Sequence, residues 1–218
     1  MTAVLLLAKL LVAYLLGSVS GAMLVGRLRG VDIRTQGSGS AGGTNAFRTQ
    51  GAAFAAAVVA IDIGKGVVAA LLGDVPLGTT ELSPLAQAIA CALACAVGHV
   101  WPAFYGFRGG KGAATLLGGL FVVAPGAAVL PFLVWLGTLA TTGYVGLSTV
   151  FAGLALPVSL LLVASGRTFA PLMMFGLAAA ALLVLTHRDN LRRVRAGTEH
   201  RFERARVIGR LIDRDGLE

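Results

Sequence analysis

Charge is scarce in this 218-residue sequence: 13% of its residues are Asp, Glu, Lys or Arg, against roughly 25% in soluble domains. Between positions 112 and 166, 55 consecutive residues carry none. That run is more than twice the ~20 residues that a membrane helix needs, which excludes an ordinary soluble globular domain. Acids are the rarest charges. Residues 1–186 hold four, Asp32, Asp62, Asp74 and Glu81, too few and too dispersed for the carboxylate cluster of a magnesium-dependent phosphotransferase. The chemistry is therefore expected to need no metal. The only cysteines, Cys91 and Cys95, lie one helical turn apart in an apolar segment and read as small packing residues, not as a disulfide or metal site. No Gly-x-Ser-x-Gly is present, and no His is followed five residues later by Asp. These absences exclude the nucleophile elbow of the hydrolases and the His–Asp pair of soluble-type acyltransferases.

What is abundant is apolar: 56% of the chain is hydrophobic. Runs bounded by Gly, Pro and charge predict an all-α polytopic membrane protein of about seven transmembrane helices. Their expected spans are 4–25, 52–72, 84–104, 113–123, 126–142, 145–165 and 171–186. The fourth is short for a bilayer; Pro125 separates it from the fifth. The first 17 residues look superficially like a signal peptide, but Lys9 sits inside the apolar run, which continues to Val25. They read as a retained first span.

The net charge of +8 is not spread like a nucleic-acid footprint, and no nucleic-acid partner is expected. Nine of the eighteen basic residues, all Arg, crowd into residues 187–218, and most others flank apolar spans. Arg27, Arg29, Arg34 and Arg48 follow the first span, Arg108 and Lys111 the third, whereas Asp74 and Glu81 follow the second. By the positive-inside rule the N-terminus is outside and the C-terminus cytoplasmic. Residues 1–186 then form one transmembrane domain and 187–218 a basic interfacial tail touching membrane lipids. Every informative polar segment falls on the cytoplasmic face.

Three of these segments carry chemistry. The first reads Gly37-Ser38-Gly39-Ser40-Ala41-Gly42-Gly43-Thr44-Asn45-Ala46-Phe47-Arg48. It matches G-x-G-x-x-G only formally, because no strand precedes it. Its glycines, hydroxyls and Arg suit an anion nest. The second runs from His99 through Pro102 to Gly109-Gly110-Lys111-Gly112, just before an apolar helix. It is no Walker loop, because Gly112 stands where a magnesium-binding hydroxyl belongs, yet helix amides plus one Lys make a metal-free phosphate site. In the third, His187 and Asn190 lie three apart on one helical face, with Glu199 downstream. Asp62 and Lys65, three apart within the second span, read as a structural ion pair. Gly17 and Gly21 read as a helix-packing motif.

Together these segments resemble the bacterial membrane glycerol-3-phosphate acyltransferases that use acyl phosphate, over nearly the whole chain. Ser40 stands where that family has Asn, Gly43 where it usually has Ala, and Gly146 where it has Ser. The resemblance implies a seven-helix bundle in the bacterial plasma membrane that moves a fatty acyl group from acyl phosphate to the 1-hydroxyl of glycerol 3-phosphate, giving lysophosphatidate; the donor is already activated, so no cofactor is implied. It implies Ser38, Arg48, His99, Lys111, His187 and Asn190 as catalytic residues. Gly37, Gly39, Thr44, Asn45, Gly109, Gly110 and Gly112 would bind substrate, and Glu199 would anchor the first-loop Arg or the tail. His99 or the acceptor's own phosphate would take the hydroxyl proton. The implied partners are the two substrates, membrane lipids and the enzyme that makes acyl phosphate. A small transporter or binding protein for phosphorylated anions is the alternative reading. It requires polar residues on both membrane faces.

Overall fold

A computed structural model describes residues 2–75 and 82–215. Among the described residues the chain is helical without strands. The helices are α1 Thr2–Ser18, α2 Gly21–Leu28, α3 Gly43–Gln50, α4 Ala52–Asp74, α5 Pro84–Val100, α6 Ala113–Val123, α7 Val129–Thr142, α8 Val145–Val163, α9 Phe169–Thr186, α10 Arg188–Arg195 and α11 Val207–Asp215. Five helical stretches are long and apolar enough to cross a membrane, and α1 with α2 makes a sixth if the bent pair is one span. This is a multi-pass membrane protein. The acidic Glu81 of the expected outer loop lies outside the described residues.

Local chemistry explains several helix ends. Ser83 caps α5 by accepting from the Ala86 amide, with Pro84 at the first helical position. Gly143, at φ +75°, makes the left-handed turn between α7 and α8. Pro125 opens a short 3-10 turn, Pro125–Ala128, so α6 stops after 11 residues and stays separate from α7. At about 1.5 Å per residue it covers roughly half of a bilayer's hydrocarbon core.

The first apolar run is not one straight helix. It breaks at Ser18–Ser20 and bends by 43°. The Lys65 ammonium donates to the carbonyls of Gly17 (3.0 Å) and Val19 (2.9 Å), which end α1. Asp62 Oδ1 accepts from the Gly21 amide, which starts α2. The expected ion pair is present at 2.9 Å, and it also clasps both ends of the break. Gly17 and Gly21 consequently serve two different neighbours. A Cβ on Gly17 would overlap the Cys95 carbonyl on α5, and one on Gly21 would crowd Val58 O on α4.

Similar backbone-to-backbone seams lock the bundle centre. Gly98 of α5 lies against the Tyr14 carbonyl, and Gly66 of α4 lies against that of Thr115 on α6. Cys91 and Cys95 are buried free thiols within this packing. Buried Lys9 is held by the carbonyls of Gly73 (3.0 Å) and Val75 (2.6 Å) and by Gln87 Oε1 (2.8 Å). It meets the negative end of α4, and no carboxylate among the described residues pairs with it. By contrast α7 buries none of its residues.

Candidate active site

Asn45 organises the glycine-rich first loop. Its Oδ1 accepts from the Ser38 amide (2.9 Å), and its Nδ2 donates to the carbonyls of Ile33, Gln36 and Ser40. Gly37 and Gly39 have φ +56° and +72°, the left-handed region where a side chain is strained. A Cβ on Gly37 would also strike Asn45 Oδ1. This wrapped loop presents Ser38, Ser40 and Thr44 to a cavity of about 150 Å³, with Arg48 one turn further along α3. Arg34 is spent elsewhere: it pairs with Asp32 at 2.8 Å and reaches the Tyr105 carbonyl. The hydrogen bond from Arg34 holds the half-buried Asp32 carboxyl below its ordinary range.

The second loop folds back along the end of α5. The Gly109 amide donates to Val100 O and the Gly110 amide to His99 O. Their N–H groups are therefore engaged, and neither glycine lines the cavity. Gly37 and Gly39 likewise stand outside the cavity lining and shape the first loop. What Gly110 provides is room, since a Cβ there would overlap His99 Nε2. Gly112, at φ +88°, caps α6, and with Ala113 and Ala114 it lines the cavity. The first-turn amides of α6 lack helical acceptors and form the positive end of its dipole.

The third segment closes the site. The Lys111 ammonium donates to Asn190 Oδ1. Asn190 Nδ2 donates to Glu199 Oε1 (2.8 Å), whose other oxygen accepts from Arg193 Nε (2.6 Å). Glu199 therefore anchors the tail, not Arg48. Gly146 abuts Asn190: a Cβ would come within 3.0 Å of its side chain. Burial pushes the Lys111 ammonium down to about 8, offset in part by Glu199. Burial and the Lys111 charge hold His187 down to about 4, so its ring is neutral. His187 Nδ1 lies 2.8 Å from the Leu183 carbonyl. The ring hydrogen sits on Nδ1, and the Nε2 lone pair meets no donor among the described residues.

His99 has the opposite arrangement. Its Nδ1 lies 2.8 Å from the Lys65 ammonium and 3.4 Å from Asp62. Facing that ammonium, Nδ1 accepts and the hydrogen sits on Nε2. The Asp62–Lys65 pair thus reaches into the site, because Asp62 and His99 both line the cavity. Of the expected site residues, Ser38, Thr44, Asn45, Arg48, Asp62, His99, Lys111, Gly112, His187, Asn190 and Glu199 converge there, joined by Ser40, Gly43, Gly146 and Thr149, which were not expected as ligands. Gly146 and Thr149 stand one turn apart on α8, a spacing without any motif. Among the described residues, no three His, Cys, Asp or Glu side chains come together as a metal site.

Charge in the cavity is unbalanced. Asp62 is paired with Lys65, and Glu199 with Arg193. Lys111 meets a neutral amide, and Arg48 makes no hydrogen bond or ion pair with any described residue, its Nε being buried without a partner. A second cavity of about 450 Å³ adjoins the first through Val59, Ala113, Ala114 and Thr149. It is lined almost wholly by carbon, including Leu120, Phe132 and Trp135.

Residues 7–197 match the family model described as glycerol-3-phosphate acyltransferase. The chain belongs to that family. It is 42% identical to glycerol-3-phosphate acyltransferase 2 of Moorella thermoacetica, over 90% of this chain and 97% of the relative. Against the glycerol-3-phosphate acyltransferase of Aquifex aeolicus it is 38% identical, over 87% and 95%. Among solved structures it is similar to the integral membrane glycerol 3-phosphate acyltransferase PlsY (YgiH). The glycerol 3-phosphate form superposes with a TM-score of 0.81 at 34% identity, covering 90% of this chain and 95% of that one.

Proposed function

We propose that this protein transfers a fatty acyl group from acyl phosphate to the 1-hydroxyl of glycerol 3-phosphate, releasing lysophosphatidate and inorganic phosphate. One observation carries the reading: a polar cavity holding two cations, Arg48 and Lys111, that form no ion pair with any described carboxylate adjoins an apolar groove. That pairing suits a phosphorylated polar acceptor beside an aliphatic chain. Arg48, Lys111 and the first-turn amides of α6 meet phosphate charge. Ser38, Thr44 and Asn190 line the same space and orient the acceptor. Gly37, Gly39, Gly109 and Gly110 act at one remove, by letting the loops close.

An acyl phosphate is already activated, so the acceptor oxygen attacks the acyl carbon directly and the C–O bond to phosphate breaks. The free Nε2 of His187 suits a hydrogen bond from the attacking hydroxyl. A nitrogen titrating near 4 orients that proton and does not retain it. His99 Nε2 carries its own hydrogen and acts as a donor. A phosphate oxygen of the substrates is then the proton acceptor. Positioning and fixed donors supply the acceleration.

The same reading places the protein in the bacterial plasma membrane with the site facing the cytoplasm. It counts seven crossings, α1 with α2 as one and short α6 as another, with the N-terminus outside. The enzyme that makes acyl phosphate is then its natural partner. The decisive experiment incubates purified protein with glycerol 3-phosphate and acyl phosphate and measures lysophosphatidate and phosphate in equal amounts. Failure to form both refutes the reaction.

A further inference from the structure

Phe202 lies five residues beyond the end of the family match at residue 197. The tail that carries it crosses the α7–α8 link. The Phe202 amide donates to Gly143 O (2.9 Å), Arg201 Nε donates to Thr142 O (2.9 Å), and the Arg201 guanidinium lies over the Tyr144 ring at 5.4 Å. The Phe202 ring so placed has the Arg48 guanidinium 5.5 Å from its centroid. It is wedged between Phe47 (6.0 Å) and His200, whose ring meets it edge-on at 4.8 Å.

Arg48 has no other side-chain partner among the described residues. The Glu199 charge acts on it, but both Glu199 oxygens are already bonded to Asn190 and Arg193. A cation fixed by a carboxylate spends its donors on that partner. A cation fixed against an aromatic face spends none, because the attraction is to the ring's quadrupole, not to a lone pair. We infer that Phe202 is a positioning residue that holds Arg48 by its face and leaves its N–H donors free for the phosphate monoester of the acceptor. The tail is thereby part of the substrate site and not only a surface appendage. This inference rests on the proposed reaction for its kinetic readout.

The test compares Phe202→Leu with Phe202→Tyr. Leucine keeps apolar packing against Phe47 but has no π face, whereas tyrosine keeps both. The expected result is a rise in KM for glycerol 3-phosphate of about threefold to tenfold in Phe202→Leu. The other expectations are kcat within about twofold, KM for acyl phosphate unchanged, and near-complete rescue in Phe202→Tyr. Calorimetric Kd values for glycerol 3-phosphate are measured alongside and should shift by the same factor. Unchanged KM and Kd in Phe202→Leu would overturn the inference. Loss of kcat that tyrosine does not rescue would overturn it equally, as the mark of a structural role. If the wild-type protein binds glycerol 3-phosphate without turnover, the proposed reaction fails and the Kd comparison still decides the inference. If it does not bind glycerol 3-phosphate, both fall.

Discussion

Lys111 and Asn190, 79 residues apart in sequence, meet through a hydrogen bond from the ammonium to the amide oxygen. The Asn190 nitrogen is committed to Glu199, so the amide cannot flip. A neutral acceptor holds Lys111 in place while leaving its charge uncancelled. Asn190→Asp should therefore be worse than a simple loss of contact. The new carboxylate would pair with Lys111 and repel both substrate phosphate and Glu199. The expected outcome in steady-state assays is loss of kcat/KM on the order of 100-fold or more. Activity close to wild type in Asn190→Asp would show that Lys111 does not meet substrate charge.

Lys111→Ala and Arg48→Ala should each lower kcat/KM by on the order of 100-fold, because each removes one of two unpaired cations from a buried site. Arg48→Lys should restore only a minor part, since a point charge neither forks nor lies flat on Phe202. Initial-rate kinetics with both substrates varied will separate these effects. Near wild-type kinetics for the two Ala variants would remove phosphate binding from this cavity.

The pH dependence follows from Lys111. Its folded-state value of about 8 lies below the ordinary 10.5. Between those values the unfolded chain binds the proton that the folded, substrate-free protein has lost. The penalty for burying the charge is full below about pH 8 and is relieved as pH rises towards 10.5, so this group contributes stability that grows with pH. Affinity runs the other way. KM for glycerol 3-phosphate should climb above about pH 8 as the ammonium deprotonates, and the climb should vanish in Lys111→Ala. A flat KM profile from pH 7 to 9.5 in the wild type would contradict this.

Topology is tested by cysteine labelling in intact cells, in a background where Cys91 and Cys95 are replaced. An impermeant maleimide should modify a cysteine at Ser165, in the α8–α9 link, and miss one at Arg108, three residues before Lys111. Both positions are exposed. Labelling of both from outside would break the assignment of the site to the cytoplasmic face.

Excess chelator should leave turnover intact, because the carboxylates of residues 1–186 are few and dispersed. Acyl phosphate should be used in clear preference to acyl coenzyme A. Activity lost on chelation and restored by magnesium would overturn the metal-free route. A preference for the thioester would overturn the donor.

The sequence made the cavity legible where composition and spacing coincide: glycine with hydroxyls and Arg48, Lys111 before an apolar helix, His187 three residues before Asn190. Residue identity alone says less about placement. Gly109 and Gly110 look like phosphate amides, but the fold-back that brings them near consumes their N–H groups on α5. Asp62 and Lys65 look like a pair buried for structure alone, because nothing in sequence places His99 against them. The bend at Ser18–Ser20 leaves no mark in hydropathy, since α1 and α2 are both apolar. Phe202 was invisible for a different reason. Its value lies in contact with Arg48, 154 positions away, and no short-range pattern encodes that meeting.

Lys9 carries a consequence for how the chain is made. Its three hydrogen-bond partners among the described residues lie 64, 66 and 78 residues downstream, and Lys65 in turn needs the end of α1 and His99. When the first span leaves the ribosome, none of the groups that will satisfy its ammonium has been synthesised. An unpaired ammonium at depth in lipid costs about 2.5–3.5 kcal/mol on an insertion scale, so α1 has no settled place in the bilayer until α4 and α5 arrive. Assembly here is then a three-helix event: α1, made before α4 and α5, comes to rest only with them.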